Sequence, residues 1–462
     1  MTSGSDIAVI GGGIGGYVAA LRARQLGARV VLIERDRIGG VCLNWGCIPT
    51  KTLLRSAEVL QLARGAATYG VVVGDVALDW EKAQKRKEQV VRRLTGGVKT
   101  LLERAEVEVL AGTARFVSPS MLEVATDTGM LQVQAGQFVI ATGSRPASLP
   151  IPGLSGEGVL SSDDVVELDH LPGSVVIIGA GPIGVEFATL FQACGVQVTL
   201  VEILPRVLPM LDDDLGSQVE RGLKKMKIDL HTASRVIALE EQGDLQTVSV
   251  ETPSGQTSIQ VERVLLAVGR RPNVEDIGLE AAGVRAEKEG IQVDEHMRTS
   301  AQHIFAVGDV TGGPLLAHVA LQEGVVAAET ALGLERVMRY DAVPSCVFSW
   351  PEVATVGLSE EQAAKQGYDL RVGRFPFRAN GKALAHGDYD GLVKVVADAE
   401  YGQVLGVHIV GPHASDLIQE ATMALTLEAT LDEFEATIHP HPTLTEALAE
   451  AALAAQGRAL HI

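Results

Sequence analysis

The stretch DIAVIGGGIGG (residues 6–16) runs from an apolar strand into a glycine-rich turn, and it decides the fold. Gly11, Gly13 and Gly16 form the pattern G-x-G-x-x-G. In this pattern the first glycine permits the turn, the second lets the backbone reach a pyrophosphate, and the third lets helix and strand pack closely. A helical stretch follows, and the next apolar strand ends at Glu34, 18 residues after Gly16. An acid there is placed to accept hydrogen bonds from a ribose, so this unit predicts a dinucleotide site.

The same pattern occurs a second time. VVIIGAGPIG (175–184) contains Gly179, Gly181 and Gly184, and the strand after the following helix ends at Glu202, again 18 residues after the third glycine. One such motif is weak evidence, but two complete units with matching spacing predict two Rossmann-like domains in an α/β chain. An acid at Glu202 would repel a 2′-phosphate, which favours NAD over NADP at the second site.

Composition narrows the class of function. The net charge of −19 argues against partners such as nucleic acids and anionic membranes. The first apolar run lacks a basic segment and is interrupted by glycines, so we do not expect a signal peptide. Residues 174–201 are apolar but include Glu186 and several glycines, so we expect no membrane span there. Four cysteines in 462 residues suggest a reducing compartment, and we expect a cytoplasmic protein.

Two of the four cysteines lie in GGVCLNWGCIPTK (39–51). Cys42 and Cys47 are too close together to staple a fold, their spacing is not typical of zinc ligands, and we expect no metal site. Pro49 predicts a helix that begins near Cys47, whose N-terminus would favour a thiolate. On sequence alone, Lys51 is either part of this site or a solvated helix residue.

Three further stretches carry polar or small residues after an apolar strand: FVIATGSRP (138–146), LLAVGRRPN (265–273) and HIFAVGDVTG (303–312). An acid such as Asp309, just past a buried strand, binds a cofactor hydroxyl or simply forms a turn. From residue 344 onward the pattern changes, because VKVVADAEYGQVLGVHIVG (393–411) alternates like antiparallel strands around a turn. Helical segments follow it, which indicates a separate α+β domain.

These motifs, in this order and together with GAGPIGVEFA, PEVATVGLSEEQA and HPHPTLTEA, resemble the pyridine nucleotide–disulfide oxidoreductases, most closely the dihydrolipoyl dehydrogenases. The resemblance covers nearly the whole chain. It implies a first part of an FAD-binding domain at 1–147, an NAD-binding domain at 148–273, a second FAD-binding and central part at 274–343, and an α+β dimerisation domain at 344–462.

The resemblance also assigns roles. It implies that Cys42 is the thiol that exchanges with substrate and that Cys47 faces the flavin, with Lys51 and Glu186 as a pair beside the ring. The implied FAD contacts are Gly11, Gly13, Gly16, Glu34, Lys51, Gly112, Thr142, Gly143, Asp309 and Ala317. The implied NAD contacts are Gly179, Gly181, Gly184, Glu202 and Gly269.

The stretch HPHPTLTEA (439–447) supplies a candidate base, His441, with Glu446 to orient it. In the family this pair comes from the partner subunit, which implies a homodimer. Thr443 and Glu446 also match a capping box before an apolar helix, so the spacing alone supports two interpretations. We expect His439, Cys194 and Cys346 to be structural, the two cysteines as small buried side chains.

The implied reaction oxidises a protein-bound dihydrolipoyl group and passes two electrons through the Cys42–Cys47 disulfide and FAD to NAD+. The lipoyl group would belong to a 2-oxo acid dehydrogenase complex or a glycine cleavage system, in which the chain could act chiefly as a peripheral binding partner. Glutathione reductase is a rival that Glu202 disfavours, and mercuric reductase is a rival with a C-terminal cysteine pair that this sequence lacks. Trp45 and Pro182 depart from the usual family residues.

Overall fold

The computed structural model describes residues 5–154 and 156–462. Residues 1–4 and 155, which fall within the first two expected domains, lie outside the described residues. Within the described ranges, no helix combines the length and the apolar character that a membrane crossing needs.

The first third of the chain builds a mixed sheet around the opening strand, with helices against it. Its elements are β1 Ser5–Ile10, α1 Ile14–Gln25, β2 Val30–Glu34, α2 Gly40–Asn44, α3 Cys47–Arg64, a 3₁₀ turn at Ala66–Tyr69, α4 Trp80–Arg104, β3 Glu108–Ala111, β4 Thr113–Ser118, β5 Met121–Thr126, β6 Gly129–Ile140 and β7 Ser144–Pro146. The strand order is β3-β2-β1-β6-β5-β4, in which pairing is parallel from β3 to β6 and antiparallel from β6 to β4. Alanines on α1 are fully buried, since only small side chains fit where this helix packs closely.

The middle of the chain builds a second sheet, which is parallel and has the order β11-β10-β9-β15-β8. The elements of this part of the chain are β8 Val159–Leu160, α5 Ser162–Val165, β9 Ser174–Ile178, α6 Pro182–Ala193, β10 Gln197–Val201, α7 Asp213–Lys225, β11 Asp229–His231, β12 Arg235–Gln242, β13 Leu245–Thr252, β14 Gly255–Val261, β15 Arg263–Leu266 and β16 Arg270–Pro272. Strands β12, β13 and β14 form a separate antiparallel sheet. In the parallel sheet the central strands β9, β10 and β15 are largely apolar and buried because both faces of the sheet are covered. The segment 174–201 is therefore a buried strand, helix and strand, as the sequence predicted.

The chain then returns to the first sheet. The returning elements are α8 Leu279–Ala282, β17 Ala286–Glu287, β18 Gly290–Ile291, β19 Ile304–Ala306, a 3₁₀ turn at Gly308–Thr311 and α9 Ala317–Ala331. Strand β19 pairs in parallel with β6, so that Ile304 lies beside Phe138 although 166 residues separate them. The first sheet is thus interrupted in sequence by the second. The antiparallel pair β7–β16 lies where the chain leaves the first sheet for the second and where it returns.

The last part is an antiparallel sheet with helices. Its elements are β20 Ser345–Val347, β21 Glu352–Gly357, α10 Glu360–Lys365, β22 Leu370–Pro376, a 3₁₀ turn at Phe377–Ala379, α11 Gly381–His386, β23 Leu392–Asp398, β24 Val404–Gly411, α12 Ala414–Thr426, α13 Leu431–Ala436 and α14 Glu446–Ala455. Strands β23 and β24 pair antiparallel, which confirms the interpretation of residues 393–411. We call the three parts the first sheet domain, the second sheet domain and the C-terminal domain.

The two glycine-rich turns have nearly the same geometry. Gly11 and Gly179 have φ angles of +106° and +104°, a region that favours glycine. A Cβ atom on Gly16 would lie 1.9 Å from the carbonyl oxygen of Gly11, and a Cβ on Gly184 would lie 1.9 Å from that of Gly179. Each third glycine is therefore required by contact between the helix and the preceding turn.

We predict a sharp difference between two alanine substitutions in the second turn. Gly184→Ala should prevent folding of the second sheet domain or lower its stability by more than about 3 kcal/mol, because the new methyl group overlaps a carbonyl oxygen. Gly181 has φ −73° and no atom within 4 Å of an added Cβ, so Gly181→Ala should stay within about 1 kcal/mol of the parent chain. Urea unfolding followed by circular dichroism measures both. Equal losses would contradict the steric explanation.

Candidate active site

The middle glycine of each turn faces open space. A Cβ on Gly13 would have only the Cα of Gly40 near it, at 3.9 Å, and one on Gly181 would meet nothing within 4 Å. Neither residue has a positive φ. Neither the backbone conformation nor the packing requires glycine at these two positions. The space beside each one would let a pyrophosphate group come close to the protein backbone at the helix N-terminus. The residues present therefore fit two dinucleotides.

The two acids that end the second strand of each unit are held alike. Glu34 accepts hydrogen bonds from the backbone N–H groups of Gly12 at 2.6 Å and Asp36 at 2.8 Å. Glu202 accepts from Ala180 at 2.6 Å and Leu204 at 2.8 Å. Each carboxylate is thus fixed against its glycine-rich turn, and its oxygens retain lone pairs for ribose hydroxyls.

A cavity of about 710 Å³ extends from the first turn to the cysteines. The predicted site residues on its wall are Gly11, Gly13, Glu34, Cys42, Cys47, Lys51, Gly112, Thr142, Gly143, Glu186, Asp309 and Ala317. Gly16 packs behind the wall. The second-turn residues Gly179, Gly181, Gly184, Glu202 and Gly269 are not part of this wall, and neither are His441 and Glu446.

The two cysteines lie on consecutive helices. Cys42 is on α2, and Cys47 is the first residue of α3, which confirms the helix start predicted from Pro49. The hydrogen bond between the thiols raises the pKa of Cys42 and lowers the pKa of Cys47 to about 7. Burial opposes the lowering at Cys47, whereas the charge of Lys51 supports it. The thiolate of the reduced pair therefore resides on Cys47, at a helix N-terminus.

Lys51 is paired rather than solvated. Its ammonium lies 2.7 and 2.8 Å from the two carboxylate oxygens of Glu186 and 4.6 Å from the ring centre of Phe348. Glu186 also accepts the backbone N–H of Phe348 at 3.1 Å. All three residues line the cavity, so a fixed positive charge stands at its wall beside Cys47.

The turn at Asp309 is part of a hydrogen-bonded chain that the sequence did not reveal. Ser144 donates to Asp309 at 2.5 Å and accepts from the guanidinium of Arg270 at 2.7 Å. The backbone N–H of Gly308 donates to the buried Glu323 at 2.6 Å. Asp309 is thus held beside the cavity. The only sequence signal for Ser144 and Arg270, the two side chains of this network, is that they occur in the similar motifs ATGSRP and AVGRRP.

The small residues after β6 are latched to the segment after β16. Thr142 donates to the carbonyl of Asn273 at 2.8 Å, and the Asn273 amide donates back to the carbonyl of Thr142 at 2.9 Å. Gly143 has φ +67° and accepts the backbone N–H of Asn273. These contacts hold the two segments that connect the sheet domains against each other at the cavity wall.

His441 and Glu446 form a pair on the surface of their own chain. The imidazole Nδ1 lies 2.8 Å from one carboxylate oxygen of Glu446, and the His441 side chain is 79% exposed. The other oxygen accepts the backbone N–H of Thr443 at 2.8 Å. The Thr443 hydroxyl donates to the carbonyl of Pro440 instead of capping the helix, so only half of the capping box forms.

The other predicted structural residues differ in outcome. His439 has a side chain only 7% exposed and contacts Glu420 at 2.8 Å, in line with a structural part. Cys194 packs against the core of the second sheet domain, and burial raises its pKa to about 11. Cys346, the middle residue of β20, packs against the C-terminal core, in line with a structural part. It also lines the cavity, which the sequence did not predict.

Comparison with known proteins agrees with this geometry. Residues 5–324 match the family described as Pyridine nucleotide-disulphide oxidoreductase, and residues 343–452 match its dimerisation domain. A relative from Bacillus subtilis (strain 168), named Dihydrolipoyl dehydrogenase, is 42% identical over 475 residues, which cover 100% of both chains. A relative of the same name from Thermus scotoductus is 44% identical and covers 99% of this chain and 98% of its own.

Solved structures show the same arrangement. LpdA from Mycobacterium tuberculosis superposes with a TM-score of 0.89 at 28% identity, over 97% of this chain and 99% of its own. The HOCl-induced flavoprotein disulfide reductase RclA from Escherichia coli, as a Cu(II) complex, superposes with a TM-score of 0.88 at 29% identity, over 98% and 99%. With two matched glycine-rich turns, a cysteine pair at the cavity wall and full-length similarity, the chain belongs to the pyridine nucleotide-disulphide oxidoreductase family.

Proposed function

We propose that the chain is an NAD-dependent dihydrolipoyl dehydrogenase that acts as a homodimer in the cytoplasm. The observation that carries the proposal is the cavity that joins the first dinucleotide turn to Cys42, Cys47 and the Lys51–Glu186 pair. Its substrate is a dihydrolipoyl group on a subunit of a 2-oxo acid dehydrogenase complex or a glycine cleavage system. The proposed FAD-binding parts are 1–147 and 274–343, the NAD-binding domain is 148–273, and the dimerisation domain is 344–462.

The dithiol step follows from the cysteine chemistry. A substrate thiolate attacks the sulfur of Cys42 in the oxidised pair, the Cys42–Cys47 bond breaks, and Cys47 leaves as a thiolate. The second substrate thiol then attacks the substrate sulfur of the mixed disulfide, which closes the lipoyl ring and releases Cys42. Two electrons have moved to the cysteine pair. The low pKa of Cys47, supported by Lys51, makes it the better leaving group.

Two protons must leave the substrate during this exchange. His441 of the partner subunit is the proposed base, oriented by Glu446 through the 2.8 Å contact. The exposure of this pair and its absence from the cavity wall of its own chain support a role across the dimer. FAD, held by the residues of the first turn, would supply two-electron transfer between the cysteine pair and NAD+. Lys51 would provide positive charge to stabilise a reduced flavin, and the Glu186 carboxylate holds the lysine in position.

The second turn supports NAD as the acceptor. The Glu202 carboxylate is fixed against the second turn, where it would accept ribose hydroxyls and repel a 2′-phosphate, and Arg206, four residues later, pairs with Asp213. The FAD contacts proposed at the first turn are Gly11, Gly13, Gly16, Glu34, Lys51, Gly112, Thr142, Gly143, Asp309 and Ala317. The proposed NAD contacts are Gly179, Gly181, Gly184, Glu202 and Gly269.

Substrate choice is the first test. Purified protein should be yellow and should oxidise dihydrolipoamide with NAD+ at least about 100-fold more efficiently than it reduces glutathione disulfide with NADPH, because a carboxylate at Glu202 repels the added phosphate. Steady-state kcat/KM for the two substrate pairs measures this. Glu202→Gln is the matched variant and should narrow the gap between NAD+ and NADP+. Faster turnover with glutathione disulfide and NADPH would overturn the proposal.

Removal of the exchanging thiol is the second test. Cys42→Ser should lower dihydrolipoamide oxidation by at least about 10³-fold while the flavin stays bound, because serine cannot form the mixed disulfide. Cys194→Ser is the control, since Cys194 packs away from the cavity. Flavin absorbance and single-turnover reduction report on the two effects. Loss of flavin from the Cys42 variant would indicate a structural role instead.

The third test concerns the base that we propose each subunit supplies to the active site of its partner. His441→Ala should lower turnover by about 10² to 10⁴-fold, the usual contribution of a general base. His461 makes a similar exposed contact with Glu450 at 2.6 Å, so His461→Ala is a matched control that should keep full activity.

Mixed dimers separate the two possible origins of the base. Coexpression of Cys42→Ser and His441→Ala chains should restore about a quarter of normal activity, because half of the dimers then contain one intact site of two. A base that acts within its own chain would leave every mixed dimer inactive.

A further inference from the structure

The short segment 166–168 of the second sheet domain is held by helix α4 of the first. The indole of Trp80 and the amide of Gln84 donate to the carbonyl of Leu168 at 2.8 and 2.9 Å, and the ammonium of Lys87 donates to the carbonyl of Val166 at 2.9 Å. Gln84 and Lys87 follow Trp80 by four and seven residues, so the three donors lie on one face of the helix. Lys87 is only 7% exposed, so the hydrogen bond to Val166 compensates its buried ammonium for contacts with water.

Trp45 reaches the same segment from the peptide between the two cysteines. Its indole N–H donates to the carboxylate of Glu167 at 3.2 Å, and the guanidinium of Arg37 lies 5.1 Å from the centre of the indole. Arg37 is also 3.9 Å from Glu167. The ring packs against the apolar core of the second sheet domain, as Leu168 does, and forms part of the cavity wall. A smaller side chain at this position could not reach Glu167.

The segment is connected to the cavity on its other side. Helix α5 directly precedes it, and Ser162 and Asp163 of this helix line the cavity. Asp163 is 3.7 Å from Arg270, which holds Ser144 beside Asp309. A shift of the segment would therefore move the wall at which the second sheet domain meets the cysteine turn.

We propose that Trp45 and Lys87 are positioning residues that fasten the cysteine turn and α4 to the second sheet domain and so set the geometry for electron exchange with NAD. The inference rests on the proposed function for the identity of the nucleotide. Electron transfer between bound groups depends steeply on their placement, since a displacement of about 1 Å can cost about 100-fold in rate. The dithiol step at Cys42 needs no contact with segment 166–168.

The test uses the flavin-loaded dimer and two readouts. In Trp45→Val and in Lys87→Met, hydrogen exchange of the Glu167 and Leu168 amides should accelerate at least about fivefold, because the clamp that protects them is weakened. The rate at which NADH reduces the oxidised enzyme should fall at least about threefold, while dihydrolipoamide reduces the disulfide at a rate within about twofold of the parent. Lys99→Met, an exposed change on the same helix, should alter none of these.

Each contrary outcome has a distinct meaning. Unchanged exchange at Glu167 and Leu168, or faster exchange with an unchanged NADH rate, overturns the inference. An equal slowing of both half-reactions also overturns it, since Trp45 would then act on the cysteines themselves. If dihydrolipoamide fails even with the parent chain while the NADH and exchange effects appear, the proposed substrate is wrong and the clamp stands.

Discussion

The site depends on one carboxylate that three parts of the chain share. Glu186, on helix α6 of the second sheet domain, contacts the ammonium of Lys51 from the first sheet domain and the backbone N–H of Phe348 from the C-terminal domain. The Glu186 side chain is 9% exposed and that of Lys51 is 31% exposed, so the pair gains little net stability after desolvation. The pair instead fixes geometry, because the cavity wall is complete only when all three parts of the chain are packed together.

The second sheet domain is held at two further places by different kinds of interaction. Segment 166–168 receives neutral and charged donors from α4 and Trp45. At the far end, the ammonium of Lys394 is 1% exposed and contacts Asp212 at 2.8 Å, Asp214 at 3.1 Å and Glu360 at 2.7 Å. Burial is the largest single effect on Asp212 and opposes its ionisation. The hydrogen bonds from Lys394 and from the backbone N–H groups of Glu360 and Glu361, together with the charge of Lys394, outweigh it and lower the pKa to about 2. That contribution to stability is present above about pH 4 and is lost as the pH falls towards 2.

Much of the fold and part of the site could be predicted because they are local. The two glycine-rich turns, the acids at Glu34 and Glu202 and the helix start at Cys47 are each set by contacts within about thirty residues, for which spacing is informative. The chain that holds Asp309 could not be predicted, since Ser144 and Asp309 are 165 residues apart. The place of Cys346 on the cavity wall could not be predicted either, since residues from distant parts of the chain line this cavity.

The sequence by itself determined two dinucleotide turns, a cysteine pair at a helix N-terminus and a C-terminal antiparallel domain. It left open whether Lys51 is paired and what Trp45 contacts. Only the tertiary structure decided these, because Lys51 and Glu186 are 135 residues apart and Trp45 and Glu167 are 122 apart. Local spacing encodes turns and helix ends, whereas such distant partners meet only after separate sheets have packed together.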